Sequence, residues 1–146
     1  MKKARIGFAV VSLVFMLLLT SCSFSNATAD KADILNLFHN NRATIVSAVK
    51  DGNFDSVERI PGIHSVYQSD NYIDFSCGGA GLGSATDYRG FFYSESDDLT
   101  AWNGGVCRAD ELETYGNGYQ YRQPDGDNEY YVEQIEDHFF YYEAHF

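Results

Sequence analysis

The sequence predicts an α+β domain in which one amphipathic helix packs on an antiparallel sheet of about five or six strands. Three observations predict it. Apolar residues recur at helical spacing between residues 30 and 51. From residue 57 onward the pattern changes to short aromatic and β-branched runs punctuated by Gly, Asn and Asp, which is how antiparallel strands and their turns read. The portion of about 125 residues that follows an apolar leader suffices for one core and is too short for two.

The helix spans Asp30 to Asp51 and places Ile34, Leu37, Phe38, Ile45, Ala48 and Val49 on one stripe. Asp30 suits the N-cap, Asp33 reinforces the first turn, and Gly52 stands where a helix closes. Such a stripe packs on a sheet. Its polar face is mixed in charge and lacks the lysine-rich character of a helix lying on a membrane.

The strands follow in order. Ile63 to Gln68 and Tyr72 to Cys77 flank the compact turn Ser69-Asp70-Asn71 and read as a hairpin. In the second of these runs Ile73, Phe75 and Cys77 fall on one face, and Tyr72, Asp74 and Ser76 on the other. Arg89 to Ser94, Gly118 to Gln123, Glu129 to Ile135 and His138 to Phe146 supply the remaining strands. Pro124 to Asn128 joins one pair, and Glu136-Asp137 joins the last pair tightly. Residues 95 to 117 carry few strand signals and read as loop with a short helical turn around Ala109 to Leu112. No internal repeat is present.

The N-terminus opens with Lys2, Lys3 and Arg5, continues as an apolar run from Ile6 to Leu19, and ends at Thr20 and Ser21. That is the layout of an export signal. A membrane-spanning helix needs roughly 20 apolar residues, and this run falls short of that. Leu19-Thr20-Ser21-Cys22, placed directly at the end of the apolar run, resembles the lipobox of bacterial lipoproteins. The resemblance implies removal of residues 1–21 and diacylglyceryl (palmitate-type) modification of Cys22. It also implies attachment to the extracytoplasmic face of the cell membrane, since two or three acyl chains hold where one is marginal. Ser23 to Ala29 is small and polar and reads as part of a tether over residues 22–29, reaching roughly 25 Å when fully extended. Residues 30–146 then form the single domain.

Removing the leader takes away three basic residues and no acidic ones, so the formal charge falls from -11 to -14. An acidic surface repels nucleic-acid phosphates and anionic headgroups, which argues against both as ligands and leaves divalent cations, a basic protein or an envelope component. With Cys22 given to lipid, Cys77 and Cys107 remain as an even pair, which outside the cytoplasm reads as a disulfide. Closing that loop of about 30 residues would contribute roughly 3 to 4 kcal/mol. Two buried thiols, or a reactive Cys77, stay open as alternatives.

No catalytic, cofactor or metal motif stands out. The run Gly78-Gly79-Ala80-Gly81-Leu82-Gly83-Ser84 lacks the Lys and Ser or Thr of a phosphate-cradling loop and the helix that should follow. It reads as a flexible connection or as a close approach of neighbouring strands. Cys77 as nucleophile would need an imidazole nearby, and spacing selects none of His64, His138 or His145. Asp97-Asp98 and Asp125 to Glu129 lack the later ligands of a calcium loop and fit turns. The aromatic strands are the unusual feature. Alternation turns about half of their rings away from one core face, and exposed tyrosines suit interaction surfaces. Tyr119, Tyr121, Tyr130 and Tyr141 are the candidates for such a surface. The competing expectations are that cross-strand aromatic pairs simply stabilise the sheet, or that the helix covers one face and a loop the other.

The segments Phe75-Ser76-Cys77-Gly78-Gly79, Tyr88 to Ser94 and Phe139 to Phe146 are similar to those of small lipoproteins of Gram-positive gut bacteria. That resemblance implies a location and no particular chemistry. The resulting expectation is a non-enzymatic, membrane-tethered binding domain needing no cofactor. An immunity or inhibitor lipoprotein against a secreted toxin or hydrolase, and a small envelope hydrolase, are the alternatives.

Overall fold

The computed structural model describes residues 29–82 and 85–146. The leader, Cys22 and most of the tether lie outside the described residues. Helix α1 (Lys31–Asp51) forms where the apolar spacing places it. The Asp30 carboxylate accepts from the Asp33 N–H at 2.9 Å. Gly52, in the left-handed region at φ 66°, donates its N–H to the Ala48 carbonyl at 2.8 Å. Both ends are thereby capped.

Seven antiparallel strands follow: β1 (Ser65–Gln68), β2 (Ile73–Leu82), β3 (Ala85–Tyr93), β4 (Glu113–Tyr115), β5 (Gly118–Arg122), β6 (Glu129–Glu136) and β7 (Phe139–His145). Their order across the sheet is β1-β2-β3-β7-β6-β5-β4. Two meanders, β1 to β3 and β4 to β7, are thus stitched together where β3 pairs with β7. The fold class is α+β, and the strand count exceeds the five or six expected. The additional strand, β4, is three residues long and exposed throughout. The glycine run is strand and not connection over Gly78 to Leu82: a Cβ on Gly81 would lie 2.0 Å from the Ala85 carbonyl, so only glycine lets the two strands approach.

Both faces of the sheet carry a core, the helix side only in part. On one, Ile34, Phe38, Ile45 and Ala48 of α1 pack on Phe75, Phe91, Phe139 and Tyr141, with Val57 and Ile63 from the segment after the helix. Phe38 meets Phe91 at 5.3 Å and Phe139 at 5.0 Å between ring centroids. On the other, the long connection from β3 to β4 lays Leu99, Trp102 and Cys107 over Phe92, Tyr130, Phe140 and Tyr142. Asn103, itself buried, pins that connection by donating to the Cys107 carbonyl at 2.6 Å and accepting from the Gly105 N–H at 2.8 Å.

This two-sided burial corrects the disulfide expectation. Cys77 belongs to the helix-side core and Cys107 to the loop-side core, with the sheet between them, and both are free thiols. It also removes two tyrosines from the expected interaction surface. Tyr141 is wholly buried under α1, and Tyr130 is buried under the loop, where its hydroxyl donates to the Leu99 carbonyl at 2.8 Å. Tyr121 is half-buried on the loop side, while Tyr119 stays open.

Candidate functional site

Strand alternation assembles a second set of side chains on the helix-side face, beyond the point where α1 begins. Asp87 and Arg89 on β3, Tyr141, Glu143 and His145 on β7, Glu129, Tyr131 and Glu133 on β6, and Gln120 and Arg122 on β5 share that face. The register sets Asp87 opposite His145, Arg89 opposite Glu143, Glu143 opposite Tyr131, and Tyr131 opposite Gln120. Lys31, in the first turn of α1, stands at one wall, and the β4–β5 turn Tyr115-Gly116-Asn117 at another. The result is a cleft of about 550 Å³.

Its charges are mostly committed to partners. The Lys31 ammonium lies 5.1 Å from the Tyr131 ring centroid and 5.6 Å from that of Tyr141, and it binds both the Tyr131 hydroxyl, at 3.3 Å, and Glu133. Burial works to lower the Lys31 pKa, but its hydrogen bonds to Glu133 and Tyr131 outweigh that and raise it. Burial likewise pushes Glu133 up, and the same two partners hold it below the usual carboxylate value. The signs agree: this is an ion pair stabilised by a phenol. Tyr141 donates to Glu143 at 2.5 Å. Burial and that carboxylate raise its phenol, with Arg89 opposing. His145 Nδ1 stands 2.8 Å from Asp87, whose hydrogen bond raises the imidazole pKa. Arg122 pairs with Glu129 at 3.5 Å and, with the Gln120 amide oxygen turned toward it, with Gln120 at 2.8 Å.

Arg89 differs. It is half-buried in the cleft, and its guanidinium makes no hydrogen bond or ion pair with any other of the described residues. Its effect is felt as charge on the Tyr141 phenol. A guanidinium taken partly out of water without a partner carries an uncompensated desolvation penalty.

A larger concavity, about 780 Å³, lies at the far end of α1 between the β1–β2 and β6–β7 turns. Val46, Val49, Tyr93 and Phe139 line it, and Arg42 and Glu136 across it are paired at 2.6 Å. It too holds uncommitted groups: the exposed Lys50 has no ion pair among the described residues, and the buried His138 Nδ1, 3.1 Å from Asp97, makes no hydrogen bond.

The remaining candidates fall to structural roles. Cys77 is buried, its thiol donates to the Phe75 carbonyl at 3.6 Å, and burial pushes its pKa up to about 12. That is the reverse of nucleophile activation. Burial raises the Cys107 thiol too, against the hydrogen bond from Asn103. Asp97 accepts from the His138 N–H at 3.0 Å, and Asp98 caps Thr100 at 2.8 Å, so both serve turns. Among the described residues no group of three or more His, Cys, Asp or Glu is gathered to hold a metal ion.

On the loop side, Asp74 is a half-buried acid held in a side-chain network. It accepts from the Tyr142 hydroxyl at 2.9 Å and from the Trp102 indole, and burial pushes its pKa up to about 6 against those two donors. Tyr142 reaches it by crossing Gly90, where a Cβ would lie 2.9 Å from the phenol oxygen. Trp102 stacks on the Tyr142 ring, with centroids 3.6 Å apart, and seals the network beneath the loop.

Sequence reasoning missed Lys31, Arg89, Tyr115, Gln120 and Tyr131 as a site. The signal available was the sharing of one strand face by charged and core residues, as in Arg89 with Phe91 and Glu143 with Tyr141. Comparison with protein-family models, with curated proteins and with solved structures found no match.

Proposed function

We propose that this chain is a lipid-anchored, extracytoplasmic binding module that engages an envelope component through the cleft between Lys31 and the β4–β5 turn. One observation carries the reading: the sheet face left open by α1 is concave and lined by Arg89, a guanidinium with no protein partner among the described residues. Groups committed to folding are paired, and a group left over in a concavity is available to a ligand. The non-enzymatic character is supported by Cys77, which is buried and protonated at any physiological pH. Membrane attachment is supported by the leader and by Leu19-Thr20-Ser21-Cys22.

Two experiments test it. Mass spectrometry and membrane fractionation of the native product, against Cys22→Ser, should show an acylated, membrane-bound chain that becomes soluble in the variant. Hydrogen exchange of the full chain with and without purified cell-wall material should show protection in β4–β5 and β6 near Tyr131. Protection confined to other surfaces, or none, would remove the cleft from consideration.

A further inference from the structure

Residues 29–146 hold seven Lys and Arg in a chain of strongly negative charge, and three of the seven, Lys31, Arg89 and Arg122, line this one cleft. Lys31 is bound to Glu133, Arg122 to Glu129, and the Asp87 carboxylate to His145. Glu143, opposite Arg89, receives the Tyr141 hydroxyl. Counted together these charges roughly cancel, with Glu143 set opposite Arg89, so the cleft has no net positive field; Arg89 stands apart because its guanidinium, unlike the other two cations, makes no hydrogen bond or ion pair with the described residues. A guanidinium prefers a planar oxyanion it can grip with two parallel hydrogen bonds.

The walls narrow the class. Tyr115 is 58% exposed at the rim and meets Tyr131 edge-on at 6.2 Å, so one face of its ring is free. Asn117 and Gln120 add neutral amides beside it, the donors and acceptors that suit hydroxyl groups. An extended peptide gains affinity by pairing its backbone with a sheet edge. This cleft lies over the sheet face, where the backbone groups are already paired between strands.

Resting on the cleft as the binding face, we propose that its ligand is a carboxylate-bearing saccharide, with the carboxylate on Arg89 and a sugar ring on Tyr115. The probes are tetragalacturonate, the neutral chitotetraose, and tetraglutamate, titrated calorimetrically into the full chain in mild detergent. Tetragalacturonate should bind at least tenfold more tightly than either of the others. Arg89→Gln should weaken it tenfold or more, Arg89→Lys should weaken it less, and Tyr115→Ala should weaken it severalfold, all with unchanged melting temperature. Equal binding of chitotetraose, indifferent to Arg89→Gln, would overturn the anionic ligand and leave the cleft as a binding face. Tetraglutamate binding as tightly, indifferent to Tyr115→Ala, would replace the saccharide by an acidic peptide. No binding of any probe at millimolar concentration would overturn the proposal, whereas the cleft itself stands or falls on the hydrogen-exchange result.

Discussion

Replacing Asp74 by Asn tests the buried network on the loop side of the sheet. The Asn side chain keeps an oxygen for the Tyr142 hydroxyl and the Trp102 indole but cannot ionise. In the folded protein the Asp74 pKa rises from 3.8 to about 6 because burial penalises the carboxylate. Between those values the native state binds more protons than the unfolded one, so this group's contribution to stability is present at low pH and is lost as pH rises toward and past 6. At 1.36 kcal/mol per pKa unit, the loss between pH 4 and pH 7.5 comes to about 2 kcal/mol. Urea denaturation at those two pH values reads it directly, because the sole tryptophan, Trp102, sits on the network and reports through its fluorescence. Other carboxylates change the stability of both proteins alike, so the quantity of interest is the difference between them. Asp74→Asn should gain on the wild type by about 2 kcal/mol on going from pH 4 to pH 7.5. A difference independent of pH, or one moving the other way, would refute desolvation of the Asp74 carboxylate as the cause.

Three further outcomes follow from the packing. Phe38→Ala empties the contact with Phe91 and Phe139 under the helix and should cost about 3–5 kcal/mol in chemical denaturation; a cost below about 1 kcal/mol would mean that α1 is not seated there. Cys77 and Cys107 should resist a thiol reagent in the folded protein and react in denaturant, with no mobility change on non-reducing gels, since each is a buried free thiol on its own side of the sheet. Asn103→Ala should destabilise by about 1–2 kcal/mol, because it leaves the carbonyl of buried Cys107 without its donor, whereas the N–H of exposed Gly105 turns to water. Hydrogen exchange should quicken in residues 98–108 and not in α1.

The helix was legible in the sequence because its two signals, apolar period and terminal caps, are local, and both are found at Asp30 and Gly52. The strands were legible where alternation is strong, as in Ile73, Phe75 and Cys77. Gly78 to Leu82 was not, because glycine carries no side chain to show a period even where it pairs. β4 escaped because Glu113, Thr114 and Tyr115 are all exposed and leave no pattern. The covering of the second face depended on Leu99, Trp102 and Cys107, whose spacing is irregular and whose role exists only once the chain has folded back. The cleft depended on bringing Lys31 beside Tyr131 across a hundred residues and on Arg89 being left over after all other pairings. That remainder is a property of the register, and no local window of sequence displays it.

The seventh strand has a consequence for how the protein is made. It lies between β3 and β6, yet it is translated after both, so the two half-sheets stay unjoined until the final turn of the chain has emerged. A nascent chain short of Phe139 is held open, with Phe91 and Glu133 missing their common partner Tyr141, and long-range pairing of this kind is slow to form. By the same logic, clipping away the last eight residues would leave two hairpin assemblies with raw edges, a fragment that proteases should clear quickly.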